Sequence, residues 1–380
     1  LTDHESTSTP RTDAFIPRPI REGGDPYGTH RVREPRGALP QPAQVLDNDF
    51  SALFEGELLL AVDTLNVDAV SFRQMEEDAI VALTHEHSVR EPSDREIEAG
   101  VAARVLATVT ARGKQHNPVT GSGGMLLGRV RQIAPGRPKE ALAVGDRVAT
   151  LVSLSLTPLA ISRVLAVRRA SAQLDVEGEA VLFATGPYAK LPGDMPERLA
   201  LAVLDVAGAA PQVARLVRPG LSVLVLGAGG KSGILSCVEA RRSGGPSARI
   251  VGVEAYAKAA EELASLAVCD AVIEADARDP VALRRAALAA NGGEEFDLTV
   301  SCVNVGDAEM AAILATKPRG LVYFFAMSTS FTKAALGAEG VGKDVDLMIG
   351  NGYAREHAEH SIALLRDHAP LRALFTRRYG

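Results

Sequence analysis

The sequence predicts an α/β chain in two parts, a β-rich, partly barrel-like N-terminal domain followed by a doubly wound parallel sheet. Three observations carry that prediction. Between residues 56 and 190, short β-branched and apolar runs alternate with turn formers, the pattern of several short strands around a small core. From residue 196 onward, apolar strand-like runs alternate with helix-forming segments, the grammar of βαβ units. Near the head of this second part stands LSVLVLGAGGKSG (221–233), an apolar strand ending in a glycine cluster that opens a helix.

A length of 380 residues argues for two domains, and 46% hydrophobic content is enough for sizeable cores. The expected divisions are a flexible arm over 1–25, a catalytic domain over 26–195 and a nucleotide domain over 196–380. The opening LTDHESTSTPRTDAFIPRPIREGGDP (1–26) is polar and proline-containing and lacks a hydrophobic secretion core, so a flexible lead-in to a cytoplasmic protein is expected. No apolar run reaches membrane-spanning length. Forty-one basic against 47 acidic side chains leave a net charge of −6, which gives no general pull toward nucleic acid or an anionic membrane. Cys237, Cys269 and Cys302 each sit in an apolar stretch; buried reduced thiols are expected, with no disulfide framework and no clustered cysteine zinc site.

In chain order, PYGTHRVREPRGALPQPAQVLDND (26–49) reads as ordered but irregular. GELLLAVDTLNVDAVSF (56–72) is β-rich, its LAVDTLNV alternation suggesting a half-buried strand. Residues 73–113 predict two helices broken at EPSD (91–94), the second capped by Ser93 or Asp94. GKQHNPVTGSGGMLLGRVRQI (113–133) gives a polar, glycine-rich loop and then a strand; with no helix behind it, this second glycine cluster is not a nucleotide loop. Residues 143–167 form a turn at VGD and two β segments. PERLALAVLDVAGAAPQVARLV (196–217) is helical, and beyond the glycine-loop strand further strands are expected at 248–254, 271–274, 297–303, 320–327 and 345–349.

That arrangement is the Rossmann dinucleotide fold, with ligand at the carboxyl ends of the strands, at the switch between strands one and four. Gly227 makes the turn, Gly229 and Gly230 allow close backbone approach, and Gly233 allows the helix to pack on the strand. Lys231 and Ser232 become neighbours of the diphosphate. Glu254 ends the next strand roughly 20 residues after the last glycine, where a carboxylate accepts hydrogen bonds from the adenosine ribose. A 2′-phosphate would be repelled by Glu254, so NAD is favoured over NADP. GGKS (229–232) imitates a triphosphate loop, but that motif needs glycine where Val225 stands. Asn304, Met327 and Ser328, at the ends of strands four and five, are expected to meet nicotinamide and its ribose.

NVD (66–68), a glycine turn before a strand at 121–130, VGDRV (144–148) and LGAGGKSG (226–233) together resemble the medium-chain dehydrogenase/reductase superfamily. Many of its members hold a catalytic zinc. In this chain no cysteine precedes Cys237, Asn66 stands where a zinc cysteine would be expected, and Ser122 stands near the position of a histidine; the resemblance therefore implies a zinc-free member with no metal. PYGTHRV (26–32), GKQHNPVTGSGGML (113–126), ATLVSLSLTPL (149–159), LDVAGA (204–209), CVNV (302–305) and SFTKAALGAEGVGKDV (330–345) are similar to one family within it, the L-erythro-3,5-diaminohexanoate dehydrogenases of lysine fermentation. The implied reaction is oxidative deamination at C3, with hydride passed to NAD, an iminium formed on the substrate, and water releasing ammonium to leave 5-amino-3-oxohexanoate. A zinc-free NAD(P)H-dependent quinone or enoyl reductase, or a non-catalytic dinucleotide-binding regulator, remain alternatives. No nucleic acid or membrane partner is expected, and the chain is expected to form a homodimer.

Such a reaction needs a base for the substrate ammonium and a positioned water. His116, in a polar glycine-flanked loop, is the first choice for acid/base work, against a structural loop histidine. Asn117 is a neighbouring donor or a capping residue. Asn66 could orient substrate or water; Asp68 could stabilise iminium charge or simply form a turn. Asp205 lies in an apolar helical segment, so its charge needs a partner, either a substrate ammonium or a structural ion pair. Lys114 is the best candidate for the substrate carboxylate, then Lys333, then Arg73. Tyr27 and His30 are candidates to close the pocket. His85-Glu86-His87 and the pair His357 and His360 read as solvated polar faces rather than metal ligands.

Overall fold

The computed structural model describes residues 15–86, 90–117, 123–137, 142–326 and 328–380, with only the backbone described at 69, 70, 85 and 86. The chain divides into two compact units, Leu1–Leu191 and Pro192–Gly380.

In the first unit, short strands β1 (Ile20–Arg21), β2 (Val32–Glu34), β3 (Val45–Leu46) and β4 (Leu53–Phe54) precede β5 (Leu58–Asn66). Helices α1 (Ala69–Glu86) and α2 (Asp94–Arg112) follow, then β6 (Met125–Ile133), β7 (Arg147–Thr150), β8 (Leu159–Arg168), β9 (Gln173–Leu182) and β10 (Tyr188–Lys190). The last five strands and β5 form a six-stranded sheet in the order β10-β7-β6-β5-β9-β8, antiparallel at every step. Its curved core is built by the alternation in β5: Leu58, Leu60, Val62 and Leu65 are buried in the same cluster as Leu126 and Val130 of β6. Ile97, Val101, Val105 and Val109 of α2 recur at every fourth residue and are all buried, a single apolar helix face. Ser93 and Glu96 close a reciprocal capping box at its start. From residue 15 the arm is held down: the Arg18 N–H donates to Gln132 Oε1 at 2.7 Å, and β1 pairs in parallel with β4.

The second unit opens with two short helices, α3 (Glu197–Leu204) and α4 (Ala209–Leu216), where one helical segment was expected. Between them Gly208 packs closely on the backbone of Gly352, where an added Cβ would lie 2.2 Å from the carbonyl oxygen. Then come β11 (Ser222–Leu226), α5 (Lys231–Gly244), β12 (Arg249–Glu254), α6 (Ala257–Ala264), β13 (Ala271–Glu274), α7 (Pro280–Ala290), β14 (Phe296–Ser301), α8 (Glu309–Ala315), β15 (Thr316–Phe324), α9 (Phe331–Gly340), β16 (Asp346–Ile349), α10 (His357–Asp367) and α11 (Ala369–Tyr379). The sheet order is β13-β12-β11-β14-β15-β16, parallel throughout. This is the doubly wound sheet with its switch between β11 and β14. The fifth strand begins earlier than expected, at Thr316. No single described helix is long and apolar enough to cross a membrane.

His357 and His360 do not lie on an exposed face. Helix α10 packs against α3 and α4, which buries His357 beside the Tyr353 ring, and burial lowers the His357 pKa. The His360 ring nitrogen Nε2 is 3.0 Å from Oε2 of Glu239, a carboxylate only 1% exposed. His87 and the side chains of His85 and Glu86 fall outside the described residues.

Candidate active site

The glycine turn after β11 is shaped as its sequence requires. Gly227 has a φ of 70°, in the left-handed region that glycine adopts without steric cost. A Cβ at Gly233 would lie 2.1 Å from the Gly227 carbonyl oxygen, so only glycine lets α5 start this close to the strand. At Gly230 the nearest atom to an added Cβ is 3.5 Å away, which leaves room on that side of the loop. Gly230 is the N-cap of α5 and no side chain caps the helix, so the amide groups of Lys231, Ser232 and Gly233 face outward at the positive end of the helix dipole. A diphosphate fits such a donor set.

Glu254, at the end of β12, is buried. Its Oε2 accepts from the Gly229 N–H at 2.9 Å, and its Oε1 accepts from the Ala255 and Tyr256 N–H groups at 2.9 and 3.2 Å. The carboxylate is thereby fixed beside the loop, where the ribose of an adenosine would lie. Asn304 is exposed in the loop after β14. Ser328, after β15, donates from its hydroxyl to the Val303 carbonyl at 3.0 Å and so joins the ends of strands four and five. Met327 lies outside the described residues.

Asp205 is not inside a helix; it caps the C-terminus of α3. Its carboxylate pairs with the ammonium of Lys231, whose Nζ also stands 5.7 Å from the Tyr379 ring centroid. The partner that the Asp205 charge required is therefore a residue of the glycine loop. Lys333, exposed on α9, pairs with Asp307 at 2.5 Å.

In the first unit the turn Asn66-Val67-Asp68 leads from β5 into α1, and the second glycine cluster packs onto it. A Cβ at Gly124, which has a φ of 84°, would lie 2.1 Å from the Asn66 carbonyl oxygen and 2.9 Å from the Asp68 nitrogen. Asp68 Oδ1 accepts from the Ser71 N–H at 2.9 Å, capping α1, while its Oδ2 is buried with no partner among the described residues. The Ser71 hydroxyl accepts from Asn117 Nδ2 at 3.0 Å, which links the NVD turn to the loop after α2. Asn66 Oδ1 accepts from Gln173 Nε2 at 3.0 Å.

Beside Asn117, Nδ1 of His116 is buried without a partner among the described residues, as is Oε1 of Gln115. Burial first, then the Lys114 and Arg112 charges, push the His116 pKa below 6.5, so the ring is held neutral and can accept a proton. Ser71, Asp78, Arg104, Arg112, Gln115, His116 and Asn117 are among the residues lining a cavity of about 310 Å³ between α1 and α2. Ser71, His116 and Asn117 thus share this cavity, and Asp68 is tied to its rim through the Ser71 N–H. Ser71 and Gln115 were not expected from the sequence, although an aspartate three residues before a serine at a helix start is itself a capping signal.

Three expectations are corrected. Lys114 cannot serve the substrate carboxylate, because its side chain is fully buried and Nζ donates to the Pro40 and Gln41 carbonyls at 2.8 and 3.0 Å. Burial and Arg112 lower its pKa to about 8. His30 closes no pocket: its Nδ1 accepts from the Asp25 N–H at 3.0 Å and its Nε2 meets Glu57 Oε1 at 2.9 Å. Arg31 grips the same carboxylate. Tyr27 is 63% exposed and does not line the cavity. Ser122 lies outside the described residues, and among the described residues no three His, Cys, Asp or Glu side chains converge on a metal position. Desolvation pushes the pKa of the half-buried Cys302 thiol up to about 11.

Comparison with known proteins gives a consistent result. The family described as L-erythro-3,5-diaminohexanoate dehydrogenase N-terminal domain matches residues 30–192. The L-erythro-3,5-diaminohexanoate dehydrogenase of Acetoanaerobium sticklandii is 49% identical over 357 residues, covering 94% of this chain and 99% of its own. The protein of that name from Fusobacterium nucleatum subsp. nucleatum is 46% identical over the same length and coverage. Among solved structures, a mycobacterial protein complexed with NADPH is similar at a TM-score of 0.50 and 18% identity, over 87% of this chain and 82% of that one. CurK enoyl reductase is similar at 0.51 and 13%, over 82% and 79%. At these identities the structural likeness shows a shared fold.

Proposed function

The chain belongs to the L-erythro-3,5-diaminohexanoate dehydrogenase family, and from that membership we propose that it catalyses NAD-dependent oxidative deamination of L-erythro-3,5-diaminohexanoate to 5-amino-3-oxohexanoate and ammonium. The observation that carries this is near-full-length identity of 49% to a relative bearing that name. The geometry supports it. The turn at Gly227, Gly229 and Gly230 with the open amides of Lys231, Ser232 and Gly233 would hold the diphosphate. Glu254 would accept from the adenosine ribose hydroxyls, and its fixed negative charge disfavours a 2′-phosphate, hence NAD rather than NADP. When bound, the nicotinamide supplies the hydride acceptor.

The protein's own groups would handle the protons. For hydride to leave C3, the C3 ammonium must first lose a proton to give a free amine. The neutral His116, with Nδ1 unpartnered among the described residues, is suited to take it and to activate the water that later attacks the iminium carbon. The free Oδ2 of Asp68 is suited to face the iminium charge, with Asn66 and Asn117 orienting the substrate and water. Arg112, on the cavity wall, replaces Lys114 as the candidate for the substrate carboxylate. We further infer a cytoplasmic homodimer.

The deciding assay is NAD reduction with 3,5-diaminohexanoate beside 2,4-diamino and α-amino acid analogues. Turnover of the 3,5-diamino acid with release of ammonium is expected. No turnover, together with NADPH-dependent reduction of a quinone, would replace this function with a reductase. Dinucleotide binding with no turnover of any substrate would make the protein a regulator.

A further inference from the structure

Gly229 sits at the centre of the glycine turn, and both of its peptide groups are held from outside the turn. Its N–H donates to Glu254 Oε2 at 2.9 Å. Its carbonyl accepts from Arg378 Nη1 at 2.7 Å, and the N–H of the following peptide, at Gly230, donates to the Gly227 carbonyl at 3.2 Å. Arg378 belongs to the last turn of α11, far along the chain from the motif. Its Nε donates to Glu262 Oε2 on α6 at 2.8 Å, and its Nη2 goes to the same oxygen. One arm of the guanidinium fork is thus anchored on α6 while the other reaches the loop, a rigid geometry that a single-point donor does not provide. The next residue, Tyr379, lies under the Lys231 ammonium, so α11 meets the loop twice.

A glycine turn free to rotate would have to be ordered when a diphosphate arrives, at a cost in affinity. Fixing the Gly229 carbonyl sets the 229–230 peptide plane and with it the direction of the first open amides of α5. We propose that Arg378 is a positioning residue for the dinucleotide, holding the glycine turn in its receiving shape from the C-terminal helix. This rests on the assignment of the loop to a dinucleotide.

The test measures NAD binding directly by calorimetric titration, with steady-state kinetics alongside, for the wild type and for Arg378→Gln, Arg378→Lys and Arg377→Gln. Arg377 is the charge-matched control: it is 59% exposed, meets Glu262 at 3.4 Å and lies on the same helix. Arg378→Gln should weaken NAD binding about tenfold and raise KM for NAD by the same factor, with kcat and KM for the amino substrate changed by less than about twofold. Arg378→Lys should recover part of the affinity, because an ammonium can still donate to the Gly229 carbonyl, and Arg377→Gln should bind as the wild type does. Unchanged affinity in Arg378→Gln, or equal losses in the Arg377 and Arg378 variants, would overturn the proposal while leaving the dinucleotide assignment intact. A wild type that bound neither NAD nor NADP would overturn both. If Arg378→Gln does not fold, Arg378→Lys decides: NAD affinity below that of Arg377→Gln supports the proposal, and affinity equal to wild type overturns it.

Discussion

The buried carboxylate of Glu254 joins the glycine turn to the end of β12, and its dual position makes its removal informative. Glu254→Ala should weaken NAD binding and relax discrimination against NADP by about tenfold; an unchanged ratio of the two KM values would show that this acid does not read the ribose. His116 gives a pH signature. Its folded pKa is lowered below 6.5 by burial and by its cationic neighbours, so the proton-accepting neutral form prevails at neutral pH and is lost only as the pH falls through that lowered value. The acid limb of the kcat/KM profile should therefore lie below pH 6.5, and His116→Ala should lose roughly 100-fold in kcat/KM along with the limb. A variant with the wild-type profile would remove His116 from proton transfer. A motif marked Glu254 and a polar loop context marked His116 as candidates. Lys114 misled because a lysine in a polar loop looks the same in sequence whether it faces solvent or, as here, reaches back to the carbonyls of Pro40 and Gln41. Arg378 carried no local signal at all, since its partner lies 149 residues away.

At the scale of elements, the central strands β11, β12 and β14 could be read to within about two residues, because a parallel strand buried on both faces is a continuous apolar run; β15 begins four residues before its expected start, where Lys317-Pro318-Arg319 interrupts any such run. The break between α3 and α4 could not be read, because Asp205-Val206-Ala207-Gly208 carries no proline and a single glycine to mark it. The second glycine cluster was recognised as something other than a nucleotide loop, but its actual task, lying against the Asn66-Val67-Asp68 turn, also needed the fold. The contact between α5 and its own entry loop yields a stability prediction. Gly233→Ala would set a methyl group 2.1 Å from the Gly227 carbonyl oxygen, where only backbone can yield. We expect a loss of about 1–3 kcal/mol in denaturant unfolding, together with weaker NAD binding. Wild-type stability and binding would mean that the loop relaxes more easily than its packing implies.

For the molecule as a whole, composition and segment grammar foretold a β-rich, partly barrel-like unit followed by a parallel α/β unit; the first is an open six-stranded antiparallel sheet rather than a closed barrel, and subunit association is a property of surfaces that sequence patterns describe poorly. The parallel sheet ends at β16, where Leu347 and Ile349 are 36% and 56% exposed. An apolar edge strand with unpaired backbone groups invites pairing with another chain unless it is covered. A second copy related by a two-fold axis can cover it by aligning its own β16 antiparallel, so that each outward N–H and C=O finds the equivalent strand of the partner. If the proposed homodimer forms through this edge, Ile349→Lys, which sets a charge against its own symmetry mate, should leave only monomer in sedimentation velocity at micromolar concentration. NAD binding should survive, because the glycine turn lies at β11, three strands inward from that edge. A variant that stays dimeric would move the interface to another face, and a wild type that sediments as a monomer would show that the edge is tolerated without a partner.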